Sequence, residues 1–181
     1  GRGGGKSYCL ALLALRYVHQ YGQAARILYL RRSYRGLGDF ELICREVFGA
    51  AYGTEARYNA SENIWRFPNG AYMELGQLET HADLAKFQGR SFVMLMVDEA
   101  GQYPDLALLD MLRANLRGSK GVPIRMIIAA NPGGPGHTAL AKRYVYKTAP
   151  WQAFQEEHGT RLWVHAPSTF DGNHLIDQDQ Y

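Results

Sequence analysis

Three short stretches hold residues whose types and spacing could bind a nucleoside triphosphate and cleave it. The first is Gly5-Lys6-Ser7, at the head of a long run with helical periodicity. Glycines let a backbone wrap closely round phosphate oxygens, and the N–H groups of such a loop and of the helix start then point at the anion. In that arrangement Lys6 reaches the β- and γ-phosphates and the Ser7 hydroxyl coordinates Mg2+. Gly1, Arg2, Gly3, Gly4 and Gly5 form the loop ahead of it. The full Walker A pattern wants a further glycine one position before Gly1, so the sequence enters inside the motif. A glycine-rich terminus that meets Lys-Ser by chance is the competing explanation at this point.

The second stretch is Val93-Met94-Leu95-Met96-Val97-Asp98-Glu99, of Walker B form. A continuous apolar strand belongs to a sheet covered on both faces, and it delivers two carboxylates to its carboxyl end, where α/β sheets place ligands. Asp98 is expected to hold Mg2+, through water, and Glu99 to orient and activate the attacking water as general base. Mg2+ takes oxygen ligands and keeps several waters, so few protein ligands are expected. An acid directly after the Walker B Asp favours hydrolysis over nucleotide sensing. The third stretch is Ile127-Ile128-Ala129-Ala130-Asn131-Pro132-Gly133-Gly134. Asn131, at a neighbouring strand end, could bond the γ-phosphate or the attacking water; a turn residue before Pro132 is the alternative.

Positioning these groups requires strands that alternate with helices. The spacing predicts helices from Ser7 to Gly22, over Phe40–Phe48, Thr80–Phe87, Pro104–Leu116 and Thr138–Lys147. Strands are expected at Ile27–Leu30, Phe92–Val97, Ile124–Ala130 and Arg161–Ala166, with a hairpin of Ile64–Phe67 and Ala71–Leu75 about Pro68-Asn69-Gly70. The alternation implies an α/β fold with a mostly parallel sheet flanked by helices.

The 181 residues suffice for one domain. A net charge of +3, from 20 basic and 17 acidic residues, is too small to argue for nucleic acid by itself. The two cysteines, Cys9 and Cys44, lack metal-ligand spacing, so neither a disulfide framework nor a zinc site is expected. Cys9, in an apolar helical run, reads as a small core residue. No stretch approaches the roughly 18 apolar residues of a membrane span, and no membrane partner is expected. Arg31, Arg32 and Arg35 cluster after a strand and are open to DNA phosphates, a neighbouring subunit or solvent. No histidine is assigned to metal; His137, in the glycine-rich turn, reads as structural.

In order and spacing these motifs resemble the ATPase domain of the large subunit of tailed-bacteriophage terminases. The resemblance spans nearly the whole chain. It rests on Arg2-Gly3-Gly4-Gly5-Lys6-Ser7, Leu30-Arg31-Arg32-Ser33-Tyr34, Phe67-Pro68-Asn69-Gly70-Ala71, Phe87-Gln88-Gly89-Arg90-Ser91-Phe92 with Asp98-Glu99-Ala100, Asn131–His137, and Pro167-Ser168-Thr169-Phe170-Asp171-Gly172-Asn173. It implies a P-loop NTPase of the additional-strand, catalytic-glutamate type, with the first strand and the nuclease domain outside 1–181. It further implies ATP and Mg2+ as cofactors, and hydrolysis that drives double-stranded DNA into a procapsid. The implied partners are portal protein, a small terminase subunit and sister copies in a ring expected to have five members. The implied location is the host cytoplasm, with transient docking on the procapsid.

By the same resemblance Arg2 acts near the γ-phosphate and Asn131 lies in the motif that couples hydrolysis to movement. Arg90 and Lys86 are candidates for a finger offered to a neighbouring subunit. Ala129-Ala130 departs from the family, where a Ser or Thr commonly opens the coupling motif. Asp171, Asp177 and Asp179 look like a metal cluster but read as solvated acids. A helicase-like DNA translocase, or a non-catalytic nucleotide-binding assembly module, would carry the same Walker residues and stays open.

Overall fold

A computed structural model of the chain, describing residues 5–118, 120–157 and 159–168, divides into two units. The larger comprises Ser7–Ala100 and Ala107–Ala130; the smaller takes in Gly101–Leu106 and, as described, residues 5–6 and 131–168. Along the chain the regular elements are helix α1 (Lys6–Tyr21), strand β1 (Arg26–Arg31), α2 (Leu37–Tyr52), β2 (Arg57–Asn59), β3 (Ile64–Arg66), β4 (Tyr72–Gln77), α3 (His81–Ala85) and β5 (Met94–Val97). There follow α4 (Ala107–Leu112), β6 (Arg125–Ile128), α5 (His137–Leu140), which continues as a π-helical turn over Ala141–Val145, then β7 (Ala153–Gln155) and β8 (Leu162–Val164).

Six strands form one sheet in the order β2-β3-β4-β1-β5-β6. β4, β1, β5 and β6 run parallel, and β3 and β2 add an antiparallel flap at one edge. The expected mostly parallel α/β sheet is therefore present. Its centre consists of the two continuous apolar runs: Ile27 to Leu30 and Met94 to Val97 are all fully buried. They pair from Ile27 opposite Met94 to Leu30 opposite Val97. Such strands exclude water from both faces, which fixes where each must end. On one face Ile27, Tyr29, Met73, Leu75, Met94 and Met96 pack in one cluster with Leu10, Ala14, Tyr17 and Val18 of α1 and Phe40, Cys44, Val47 and Phe48 of α2. Leu28, Leu30, Leu95 and Val97, pointing the other way, are equally buried.

Several expectations shift. The helix expected from Pro104 begins only at Ala107; the segment before it is a loop whose Gly101 carbonyl accepts from the Gly136 N–H at 2.9 Å. The helix tightens into a 3-10 turn at Arg113–Asn115, where the Asn115 side chain donates to the Phe87 carbonyl (2.5 Å) and the Arg90 carbonyl (2.9 Å). β2 was not foreseen: its Arg-Tyr-Asn sequence is too polar to signal a strand, and it forms by pairing with β3. The last strand, β8, pairs antiparallel with β7 in a separate two-stranded sheet. Cys9 is exposed, not in the core, because the helical period turns Leu10, Ala14, Tyr17 and Val18 inward and leaves position 9 outside; Cys44 is the buried cysteine. Among the described residues no helix is long and apolar enough to cross a membrane.

Candidate functional site

Local backbone conformation sets up the site before any side chain is considered. Gly5 has φ 66°, a left-handed conformation that glycine adopts without strain, and α1 starts at the next residue. That places Lys6 at the first helical position and Ser7 at the second. From there the Ser7 hydroxyl donates to Oδ2 of Asp98 at 3.1 Å, a contact between residues 91 positions apart. The head of α1 and the tip of β5 thus meet within one hydrogen bond.

Asp98 is the hub. It is 3% exposed, and its backbone N–H continues the parallel ladder by donating to the Leu30 carbonyl at 2.9 Å. Its Oδ2 accepts from Ser7 Oγ, from the Tyr29 hydroxyl at 2.8 Å and from Nη2 of Arg31 at 2.9 Å. Its Oδ1 accepts from the backbone N–H of Glu99 at 2.9 Å. A buried carboxylate is tolerated only with such partners. Arg31 Nε in turn donates to the Tyr29 oxygen at 2.8 Å, closing a ring of bonds among Tyr29, Arg31 and Asp98.

Burial, and after it the adjacent Asp98 charge, push the Tyr29 hydroxyl far above its ordinary pKa, so it keeps its proton and donates it. For Arg31, burial opposes the charge, yet the Tyr29 oxygen, then the hydrogen bond and attraction to Asp98, and last Glu99 raise the pKa above the ordinary guanidinium value. The Tyr29 ring stacks on Phe40 with centroids 3.6 Å apart and planes 1° from parallel, which locks the hydroxyl in place.

Glu99 is treated differently. Its φ is 52°, a left-handed conformation that a non-glycine residue rarely adopts and that costs on the order of 1–2 kcal/mol. The turn brings its N–H back onto Asp98 while its side chain stays 50% exposed, with Oε1 3.9 Å from Nη1 of Arg31. Of two consecutive acids, one is buried and fixed and the other is open to a reactant. The next residue re-enters the ladder, its N–H donating to the Ala129 carbonyl at 2.9 Å.

Of the residues singled out from the sequence, Ser7, Asp98 and Glu99 come together, and Lys6 is covalently adjacent to Ser7. Gly1, Arg2, Gly3 and Gly4 lie outside the described residues, as do Asp171, Asp177 and Asp179. Asn131 is three positions beyond β6, and its Oδ1 is buried without a hydrogen-bond partner. Arg31 is neither wet nor surface-facing: it is 8% exposed and part of the site. Sequence reasoning missed this, and missed Tyr29. The available signal was the strand period, which puts Tyr29 and Arg31 on the same face as each other at the carboxyl end of a strand beside β5.

Arg90 and Lys86 are engaged within the chain. Arg90 forms a two-pronged ion pair with Glu74 and covers the Phe92 ring; Lys86 pairs with Asp83 at 2.8 Å. In the smaller unit the Gly136 N–H donates to the Gly101 carbonyl at 2.9 Å, and a side chain at Gly136 would lie 2.0 Å from the Tyr103 oxygen, so those two loops meet only because that position lacks one.

A serine hydroxyl and a carboxylate in contact make an all-oxygen donor set that fits Mg2+, a hard cation that keeps most of its waters. Among the described residues no group of three or more His, Cys, Asp or Glu side chains offers a richer cage.

Comparison with known proteins gives the family and the fold. Residues 1–143 match the family model described as terminase large subunit, T4likevirus-type, N-terminal. The fold is shared with the large terminase of a thermophilic bacteriophage, at TM-score 0.73 and 15% identity, covering 98% of this chain and 41% of that one. The same terminase in complex with ADP matches at TM-score 0.70 and 13% identity, over 99% and 41%. The large terminase ATPase domain of Thermus phage P74-26 matches at 0.57 and 13%, over 91% and 69%. The chain spans about two fifths of the length of the thermophilic-bacteriophage terminase. No curated protein matches the sequence.

Proposed function

The chain belongs to the T4-like terminase large-subunit family, and from that premise we propose that it hydrolyses ATP to drive double-stranded viral DNA into a procapsid. The observation that carries the proposal is the Ser7–Asp98 hydrogen bond, with Glu99 beside it. A loop-to-helix start and a strand end that meet in this way are what a Walker A and Walker B pair require. Structures of the thermophilic-bacteriophage terminase with ADP and with ATP-gamma-S support nucleotide as the ligand.

In this reading the backbone N–H groups of Gly1, Arg2, Gly3, Gly4 and Gly5 cradle the phosphates, Lys6 neutralises the β- and γ-oxygens, and Arg2 adds charge near the γ-phosphate. Ser7 and Asp98 would hold Mg2+, which supplies charge neutralisation on the phosphate oxygens. Glu99, exposed and held by its backbone, accepts a proton from the attacking water. Asn131 carries the family's link between hydrolysis and movement. The partners proposed are DNA, portal protein, small terminase subunit and further copies in a ring, acting in the host cytoplasm on a docked procapsid.

The test is phosphate release by the full-length protein, with Glu99→Gln as the variant. Removing a positioned general base costs about 10²–10⁴-fold, so the variant should bind ATP and turn it over at least ~100-fold more slowly. Unchanged turnover would remove Glu99 from its role. DNA uptake into portal-bearing procapsids without strand separation is expected; duplex unwinding would favour a helicase-like enzyme instead.

A further inference from the structure

We propose that Arg31 is a positioning residue for hydrolysis: its buried guanidinium holds Asp98 against Ser7 and steers the Glu99 carboxylate. The inference rests on the ATPase reading above. Arginine is almost never buried unless it is paired, and Arg31 is spanned by three functional groups at once. Nε reaches the Tyr29 hydroxyl at 2.8 Å, Nη2 reaches Asp98 at 2.9 Å, and Nη1 faces Glu99 at 3.9 Å. A rigid planar fork can fix the relative placement of three such groups; the point charge of a lysine cannot.

The chain makes room for it. Gly36, at φ −88°, has a backbone conformation open to any residue, so its lack of a side chain is not conformational. An added Cβ there would lie 2.2 Å from Nη1 and 2.8 Å from Cδ of Arg31. Glycine at 36 therefore leaves the space that this guanidinium fills. A buried ion pair is poor evidence for a stability role, since apolar replacement of such pairs is often neutral. Its site, between the consecutive acids and sharing Asp98 Oδ2 with Ser7, argues that Arg31 acts through them. A role in touching DNA phosphates is disfavoured, because the group that would touch them is enclosed.

The experiment compares full-length wild type with Arg31→Gln, Arg31→Lys, Gly36→Ala and the exposed neighbour Arg35→Gln in the absence of DNA. It measures kcat and KM for ATP, and the affinity for ADP with and without Mg2+ by calorimetry. Outer-shell partners of metal ligands are worth about 10–100-fold in activity or metal affinity. Arg31→Gln and Gly36→Ala should therefore lower kcat about 10–100-fold, with KM within about threefold. ADP affinity without Mg2+ should hold, while the gain on adding Mg2+ shrinks. Arg31→Lys should recover only part of kcat, and Arg35→Gln should match wild type.

Gly36→Ala keeps the charge and disturbs only its pose, so it decides the matter if Arg31→Gln fails to fold. Turnover within about twofold of wild type in both variants would overturn the proposal while leaving the ATPase reading intact. So would equal losses of ADP affinity with and without Mg2+ that follow a lowered melting temperature, since those mark a folding role alone. No turnover in the wild type would refute the ATPase reading and this inference with it.

Discussion

Tyr29→Phe removes one oxygen from the centre of the site and leaves everything else in position. The ring, with its stack on Phe40 at 3.6 Å, is unchanged. What is lost is the bond donated to Asp98 Oδ2 at 2.8 Å and the bond accepted from Arg31 Nε at 2.8 Å. Hydrogen bonds to charged groups contribute about 1.5–3 kcal/mol each, and both partners here are charged. They are not additive, because both share one hydroxyl and the desolvation of that hydroxyl is relieved. Asp98 keeps bonds from Ser7, Arg31 and Glu99, so it is weakened, not orphaned. Arg31 Nε is left without its acceptor.

Together these terms give a loss of about 2–3 kcal/mol. At roughly 2–4 °C per kcal/mol for a chain of this size, the melting temperature should fall by about 4–12 °C. Urea unfolding should show a lower midpoint with an unchanged slope, the mark of altered stability without an altered unfolded state. Because Tyr29 holds its proton through the neutral and alkaline range, the difference between wild type and variant should not vary from pH 6 to 9. A loss below ~0.5 kcal/mol would mean that water replaces the hydroxyl and that the ring of bonds is not the tight unit described here.

Two further perturbations follow from the packing. Asp83 caps α3: burial alone would raise its pKa, but bonds from Lys86, from the Glu79 and Thr80 N–H groups and from the Thr80 hydroxyl outweigh that and hold it at about 2. Its folded value lies below its unfolded one, so its contribution is complete above about pH 4 and is lost as pH falls through 2; the stabilities of wild type and Asp83→Asn should differ by about 1–2 kcal/mol at neutral pH and converge as pH falls to about 2. Burial pushes the Cys44 thiol well above the usual range, whereas Cys9 lies exposed on α1. Alkylation of the native protein followed by mass spectrometry should give one fast adduct, at Cys9, and a second only on unfolding; equal rates would contradict the packing of α2.

The parallel sheet was legible because its two central strands are apolar on every residue, a pattern that only a doubly covered strand can bear. The acids were legible because they end such a strand. The edges were not. β2 is only three residues long, its one aromatic, Tyr58, flanked by exposed Arg57 and Asn59, and it exists through pairing with β3, which no local signal carries. α4 starts late behind a loop whose Gly101 carbonyl is taken by the Gly136 N–H, a partner distant in sequence. Cys9 was misplaced because apolar neighbours blur a helical face whose true period is set by Leu10, Ala14, Tyr17 and Val18.

Arg31 escaped for a more instructive reason. Leu30-Arg31-Arg32-Ser33-Tyr34 reads as a strand that leaves the core for solvent, and Arg32 does so, pairing at 3.4 Å with Glu79, while Arg35 is exposed. Only the first arginine turns back. What turns it is a demand from elsewhere in the chain: β1 runs beside β5 and parallel to it, so its last residue falls level with the acid that follows Val97. A carboxylate at 3% exposure cannot stand at that point without a cation or several donors, and Tyr29 and Arg31, two residues apart on one face of the neighbouring strand, are the nearest that the register allows. Glu99 needs no such enclosure, because the left-handed turn at its own backbone carries its side chain outward. The division of labour between two consecutive acids is thus written partly in β5 and partly in the strand beside it. A sequence reading confined to Asp98 and Glu99 finds the acids but not Tyr29 and Arg31, which hold Asp98 while Glu99 stays half exposed beside Arg31.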